Sequence, residues 1–227
     1  MGLKGEDLIT IDNLSKSFGR KIILDKVSLS INKGEFVGLV GPSGVGKTVF
    51  IKMLIGFYTP NSGKMSFLSD KVKNLIGFSM QNNAIYGDLT LIQNLNYFGK
   101  VYGLKRKERK EKVELLLNNL ELKEYRNIRV NKLSGGTKKR VDIACSLMNN
   151  PEILILDEPF LGLDPLLVGK ISGFLKKLNK NNGTTIILSS HYLFELGELC
   201  NRFLSFKDKK IIEIKKEDLW RFYKNAI

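Results

Sequence analysis

Gly41-Pro42-Ser43-Gly44-Val45-Gly46-Lys47-Thr48 follows the apolar run Phe36-Val37-Gly38-Leu39-Val40 and fits the spelling G-x-x-x-x-G-K-[ST]. The chemistry open to such a stretch is phosphate binding. Backbone N–H groups of a glycine-rich turn wrap the phosphate, and the helix that the turn opens adds partial positive charge at its N-terminus. Lys47 is then placed to reach β- and γ-phosphates, and the Thr48 hydroxyl to ligate Mg²⁺. Val49-Phe50-Ile51-Lys52-Met53-Leu54 reads as that helix. The alternative is a β-to-α turn with no ligand, and Lys-Thr at this offset argues against it.

Three further stretches could join the same chemistry. Ile153-Leu154-Ile155-Leu156-Asp157-Glu158 is an apolar strand that delivers two acids to the carboxyl edge of a sheet, where ligands of open α/β folds bind. Asp157 suits a Mg²⁺-side carboxylate and Glu158 a carboxylate that polarises water; a capping or salt-bridging role is the alternative for Glu158. Ser134-Gly135-Gly136-Thr137 is a second glycine-rich turn that leads into a helix read from Val141 to Met148, a second helix N-terminus able to face a phosphate. His191, the one histidine of the chain, follows Ser189-Ser190 at the end of an apolar strand. It reads as functional against the alternative of a hydrogen-bonded, half-buried histidine. Gln81 ends another short strand.

The elements that must hold these residues are legible from periodicity. Ile9 to Leu14 and Ile22 to Ile31 are strand-like, the second alternating at Val27-Ser28-Leu29-Ser30-Ile31, which suggests an antiparallel region. Strands are also expected at Lys64 to Leu68, Leu75 to Met80 and Thr184 to Leu188. From Leu89 to about Met148 the period becomes helical, with Val113, Leu116, Leu117 and Leu120 on one stripe. Leu167, Ile171, Phe174 and Leu178 mark another amphipathic helix, and Lys207 to Ile227 reads as a strand and a short helix. The result is an α/β core with a helical insertion.

Composition sets the outer bounds. The chain has 227 residues, 43% of them apolar and 26% charged, ordinary values for a globular protein with a real core. No run reaches the ~18 apolar residues of a membrane helix, and Met1 to Asp7 lacks a signal peptide's apolar segment. Cys145 and Cys200 fit no metal or disulfide pattern; both are expected buried and reduced. The net charge of +14 invites a nucleic-acid or membrane reading, but runs such as Lys105 to Lys112 interleave acids with bases, as solvated helix faces do.

Taken together and in this order, the phosphate loop, Leu133-Ser134-Gly135-Gly136-Thr137, the strand ending Asp157-Glu158 and His191 resemble the ATP-binding subunits of ABC transporters over nearly the whole chain. The resemblance implies an α/β P-loop NTPase core with a parallel sheet, an antiparallel β subdomain and a helical subdomain over roughly 82–150, in one ATP-binding domain spanning 1–227. It implies ATP and Mg²⁺ as cofactors. Phe18 matches the aromatic that stacks on adenine, with Ile23 beside it. Gly41, Pro42, Ser43, Gly44, Val45, Gly46, Lys47, Thr48 and Val49 match the phosphate-binding stretch. Gln81 matches the glutamine that contacts Mg²⁺ and the attacking water, Asp157 the Mg²⁺-side acid alongside Thr48, Glu158 the catalytic carboxylate and His191 the histidine touching the γ-phosphate. Ser134, Gly135 and Gly136 match the signature that closes over the ATP of a second copy, and Asp164 the aspartate that bridges the two copies.

The activity implied is ATP hydrolysis that drives a membrane transporter by closing and opening an ATP-sandwiched dimer. The stretch from Leu89 to Leu104 is similar to exporter-type subunits. The partners implied are a homodimeric or heterodimeric ATP-binding subunit and a membrane-spanning permease, with no direct nucleic-acid contact, at the cytoplasmic face of the cell membrane. Ile85, Tyr86 and Leu89 are the expected floor of the groove that receives the permease. The alternative function is a soluble ATPase of the same type acting on nucleic acid or ribosomes. Thr137 stands where the family most often has glutamine, Phe160 where a small or hydroxyl residue is usual, and the Gly63–Gln81 segment is short for the family.

Overall fold

The computed structural model describes residues 6–81 and 84–224. The first residues read for a signal peptide, the start of the helical region at Asn82-Asn83 and the terminal residues 225–227 lie outside them. In chain order the elements are β1 (Asp7–Phe18), β2 (Lys21–Asn32), β3 (Phe36–Val40), α1 (Lys47–Leu54), β4 (Ser62–Phe67), α2 (Asp70–Asn74) and β5 (Ile76–Ser79). Then follow α3 (Leu91–Val101), α4 (Arg106–Asn119), α5 (Gly135–Ser146), β6 (Ile153–Asp157), α6 (Pro165–Asn182), β7 (Thr185–Ser189), α7 (Leu193–Leu199), β8 (Arg202–Lys207), β9 (Lys210–Ile214) and α8 (Leu219–Lys224).

A three-stranded antiparallel sheet, ordered β2-β1-β4, stands beside a six-stranded sheet ordered β5-β6-β7-β3-β8-β9. The larger sheet is parallel from β5 through β8, and β9 joins antiparallel. Its central strands β3, β6 and β7 are buried at every residue, which is why they read as continuous apolar runs without alternation. The period of two survives in the packing. Phe36, Val40, Leu154, Leu156, Ile186 and Leu188 face the core shared with α3 to α7, while Val37, Leu39, Ile153, Ile155 and Ile187 face the core shared with α1 and the antiparallel sheet. A sheet covered on both faces is rigid, and its carboxyl edge carries the residues of interest. Ile155→Ala, at 0% exposure, is expected to cost about 2–5 kcal/mol, measurable by urea unfolding.

The structure adjusts several boundaries. The helix after the second glycine-rich turn begins at Gly135, six residues ahead of the expected Val141, because Ser134 caps it by accepting from the Thr137 N–H at 3.2 Å. The helical region opens at Leu91 behind a Thr90–Gln93 capping box. The strand read from Lys207 is the second arm of a hairpin: β8 ends at Lys207 and β9 starts at Lys210. Asp208 and Lys209 turn it with φ of 48° and 64°, a pair of left-handed residues that usually announces itself as Asn-Gly. Cys145 and Cys200 are buried and free, as expected. Among the described residues no helix is long and apolar enough to cross a membrane.

Candidate nucleotide site

Between β3 and α1 the phosphate loop takes φ values of 147° at Gly41, 78° at Gly44 and 120° at Gly46, conformations closed to most side-chain-bearing residues. A Cβ on Gly46 would also lie 2.9 Å from Ile23 Cγ2. Lys47 opens α1 nearly buried, and its ammonium donates to the loop carbonyls of Gly41 at 2.6 Å and Pro42 at 3.0 Å. Burial pushes its pKa down, while Glu158 and then Asp157 push it back up. A partly desolvated cation at the mouth of such a loop is poised for an anion that restores its electrostatic balance.

The end of β6 meets α1 and β7 here. The Thr48 hydroxyl donates to Asp157 Oδ2 at 2.9 Å, and the Ser189 hydroxyl donates to Asp157 Oδ1, so neighbouring strand and helix orient both carboxylate oxygens. Glu158 follows with φ of 53°, a left-handed conformation that costs a non-glycine residue roughly 1–2 kcal/mol. Its N–H donates to the Ser189 carbonyl at 3.1 Å and the Ser189 hydroxyl at 3.2 Å, which hold the strained turn in place. Glu158 Oε2 accepts from the His191 N–H at 3.2 Å. Oε1 faces His191 Nε2, also at 3.2 Å, without an aligned hydrogen bond. Burial pushes the Glu158 carboxyl above its ordinary value, against opposing pulls from His191 and Lys47. His191 Nε2 lies 3.4 Å from Ser43 Oγ, so the imidazole spans the phosphate loop and Glu158.

A cavity of about 370 Å³ is lined by Ile23, Ser43, Gly44, Gly46, Lys47, Thr48, Val49, Gln81, Asp157, Glu158 and His191. Fold topology thus brings together residues spread over most of the chain, including every one expected to be catalytic or to ligate Mg²⁺. Gly41, Pro42 and Val45 line a separate cavity of about 530 Å³ with Ser205 and Phe206 behind the loop. Phe18 lies outside both linings, its ring edge-on to Tyr58 at 5.2 Å and 4.9 Å from Lys16 Nζ. Ser134, Gly135, Gly136 and Asp164 also lie outside the cavity's lining; Ser134 and Asp164 cap α5 and α6. Gly136 and the loop before Asp164 touch so closely that a Cβ on Gly136 would come within 2.8 Å of the Gly162 carbonyl.

The donor set of the cavity suits a hard cation: the Thr48 hydroxyl, the Asp157 carboxylate and the Gln81 side chain offer oxygen. Among the described residues no cluster of three or more His, Cys, Asp or Glu could hold a metal, and a Mg²⁺ held by these oxygens would take the rest of its shell from phosphate and water, as that ion prefers. Two of the three departures noted in the sequence, Phe160 and Thr137, turn inward. Phe160 is 1% exposed and fills the core beneath its loop instead of presenting a face to a second copy. Thr137 is buried, with Oγ1 2.9 Å from Ser134 Oγ and accepting from Arg140 Nη2 at 3.1 Å.

Sequence reasoning passed over Ser189, Lys139 and Asp142 as site residues. Ser189 sits two positions before His191. Lys139 and Asp142 are buried on α5, and a lysine and an aspartate three apart, hence on one helix face, was the available signal.

A nucleotide-binding domain of the phosphate-loop class is what this sheet, loop and acidic strand end define. A model of the family described as ABC transporter matches residues 24–161. The linearmycin resistance ATP-binding protein LnrL of Bacillus subtilis is 37% identical over 202 residues, covering 86% of this chain and 65% of that protein. The Nod factor export ATP-binding protein I of Sinorhizobium fredii is 35% identical, covering 92% of this chain and 63% of that protein. The chain thus spans somewhat under two thirds of these relatives' length. Among solved structures, an ATP-binding subunit of an ABC transporter superposes with a TM-score of 0.85 at 28% identity, covering 94% of this chain and 92% of that one. The ATP-binding cassette MJ0796, a dimer in a post-hydrolysis state with ADP and Pi, superposes with a TM-score of 0.82 at 30% identity, covering 92% and 99%. The chain belongs to the ABC transporter family.

Proposed function

We propose that the chain binds Mg²⁺-ATP and hydrolyses it as the motor subunit of an export transporter, in a dimer that closes over two nucleotides. It is a single ATP-binding domain over 1–227, with a helical subdomain over roughly 82–150. The observation that carries this is the convergence of Lys47, Thr48, Gln81, Asp157, Glu158 and His191 on one cavity. Lys47 and the loop N–H groups hold the β- and γ-phosphates. Thr48, Asp157 and Gln81 would hold Mg²⁺, which when bound would supply positive charge against the phosphoryl oxygens. Glu158 orients and deprotonates water, and His191 contacts the γ-phosphate. Phe18 and Ile23 receive the base.

Ser134 to Gly136 and Asp164 lie off this cavity and hold their own helices in shape. A second copy, or a paralogous subunit, brings its Ser134 to Gly136 over the nucleotide, and Asp164 bridges the two. The MJ0796 cassette is described as dimeric with ADP and Pi, which supports this reading. Ser134→Arg tests it: monomer affinity for ATP is expected to stay unchanged, while the ATP-dependent dimer seen by gel filtration disappears. A Ser134→Arg chain that dimerises normally in Mg²⁺-ATP would show that this turn does not meet the second nucleotide.

The membrane partner is assigned to an apolar groove of about 630 Å³ lined by Ile55, Gly56, Phe57, Phe78, Met80, Gln81 and Ala84, with Thr48 and Lys52. Phe57 is 69% exposed, and the groove adjoins Gln81 on the nucleotide side, so a helix seated there would sense the site. Ile85, Tyr86 and Leu89, the floor read from sequence, are not among its lining. Ile85 packs on the core, and Tyr86 turns edge-on to Tyr97 at 4.9 Å. The subunit thereby works at the cytoplasmic face of a membrane, and the relatives named for linearmycin resistance and Nod factor export support the export direction. Phe57→Asp puts a charge into the apolar contact and is expected to release the chain from membranes carrying its permease without loss of ATP affinity. A wild-type chain that stays off those membranes, and instead binds RNA or DNA with steep salt dependence, would overturn the transporter assignment.

A further inference from the structure

The register of β5 and β6 ends at Ser79 opposite Leu156. Beyond it lie the Met80–Gln81 and Asp157–Glu158 peptide units, which carry the two residues assigned to water and no longer meet each other across the ladder. Both carbonyls turn to one side chain. Lys139 Nζ donates to the Met80 carbonyl at 2.5 Å and to the Asp157 carbonyl at 3.1 Å, and Lys139 is only 5% exposed. One turn further along α5, Asp142 accepts from the Ser79 hydroxyl at 2.6 Å and from the Ala84 N–H at 3.0 Å. The pair grips the chain on both sides of Gln81. Asp142, Asp157 and Glu158 face the Lys139 ammonium and offset the burial of its charge.

We propose that Lys139 is a positioning residue for ATP hydrolysis: it fixes the spacing between the peptide units that carry Gln81 and Glu158. It rides on α5, the helix that starts at Gly135. A displacement of the Ser134–Gly136 turn therefore reaches both water-handling residues through a single cation, and Asp142 carries the same displacement to the far side of Gln81. Lys139 is not among the residues that line the nucleotide cavity, and its effect runs through the geometry of those that do. This inference rests on the ATPase reading above.

The test measures steady-state turnover and equilibrium binding of a fluorescent ATP analogue for Lys139→Met, alone and combined with Gln81→Ala. Turnover of Lys139→Met is expected to fall about 10- to 100-fold, the usual cost of losing a group that orients a reacting residue, with the nucleotide Kd unchanged. In the Gln81→Ala background the same substitution should cost clearly less, since part of its action is already gone. Lys139→Gln, whose shorter arm reaches one carbonyl, should lose turnover to an intermediate degree at unchanged Kd. It carries the test if Lys139→Met does not fold. Wild-type turnover in a folded variant, a Kd that rises in step with the lost turnover, or full additivity with Gln81→Ala would each overturn the proposal. A wild-type chain without ATPase activity would end the ATPase reading and this inference together. An active wild type with an unaffected Lys139→Met would end only the inference.

Discussion

Glu158→Gln is expected to lower ATP turnover by about 10²–10⁴-fold, the range a general base contributes, while ATP still binds. Glutamine keeps the size and can still accept from the His191 N–H that now reaches Oε2 at 3.2 Å, so the fold around it persists. What goes is the negative charge proposed above to orient and deprotonate water. With nucleotide uncleaved, the closed dimer should accumulate, and gel filtration in Mg²⁺-ATP should show a dimer for this variant against monomer for the nucleotide-free protein. Normal hydrolysis by Glu158→Gln would mean that another group acts as base. The raised pKa of Glu158 adds a stability signature of definite sign. A carboxyl whose folded-state pKa lies above its unfolded value is penalised when ionised, and the penalty vanishes once pH falls below the unfolded value. Nucleotide-free Glu158→Gln should therefore melt above wild type at neutral pH, with the gap closing on acidification.

Lys47→Ala should weaken ATP binding about 10- to 100-fold, corresponding to the ~1.5–3 kcal/mol of a hydrogen bond to a charged group. The ammonium is preorganised: it already bridges the Gly41 and Pro42 carbonyls, so its removal unties the loop as well as deleting the charge. Titration of the fluorescent ATP analogue reads the effect directly. Unchanged affinity would show that the loop from Gly41 to Thr48 does not hold the phosphates.

Local rules reach a long way in this chain. Gly41 to Thr48 must form a turn that side-chain-bearing residues could not follow, because three of its glycines take φ values in the left-handed region. Ile153 to Leu156 reads as a buried strand, since a short run of branched apolar residues closed by acids suits a sheet covered on both faces, and β6 is buried at every residue. The helix after Ser134 was legible, but it starts six residues ahead of the expected Val141: Gly135, Gly136 and Thr137 have weak helical propensity, and only the Ser134–Thr137 bond shows where α5 begins. The β8–β9 hairpin escaped notice for a related reason. Asp208-Lys209 lacks the glycine that normally marks such a turn, and the left-handed φ values there are imposed by the pairing of the strands on either side.

From its types and spacings the sequence by itself determined that this chain carries a phosphate loop, an acidic strand end and a lone histidine, since these follow from the local backbone demands of glycine, the period of apolar residues and the chemistry of the side chains. Only the tertiary structure decided that Thr48 and Ser189 share the two oxygens of Asp157, and that Phe57, Phe78 and Met80 line one apolar groove beside Gln81. It alone also decided that Phe160 is core and that Lys139 joins the peptides before Gln81 and Glu158. These pairings link residues up to 109 positions apart, and nothing in one segment's period or propensity encodes which distant segment it will meet. Strand order and the packing of helices across the sheet make that choice, because a buried polar group must find its partner wherever the folded chain delivers one.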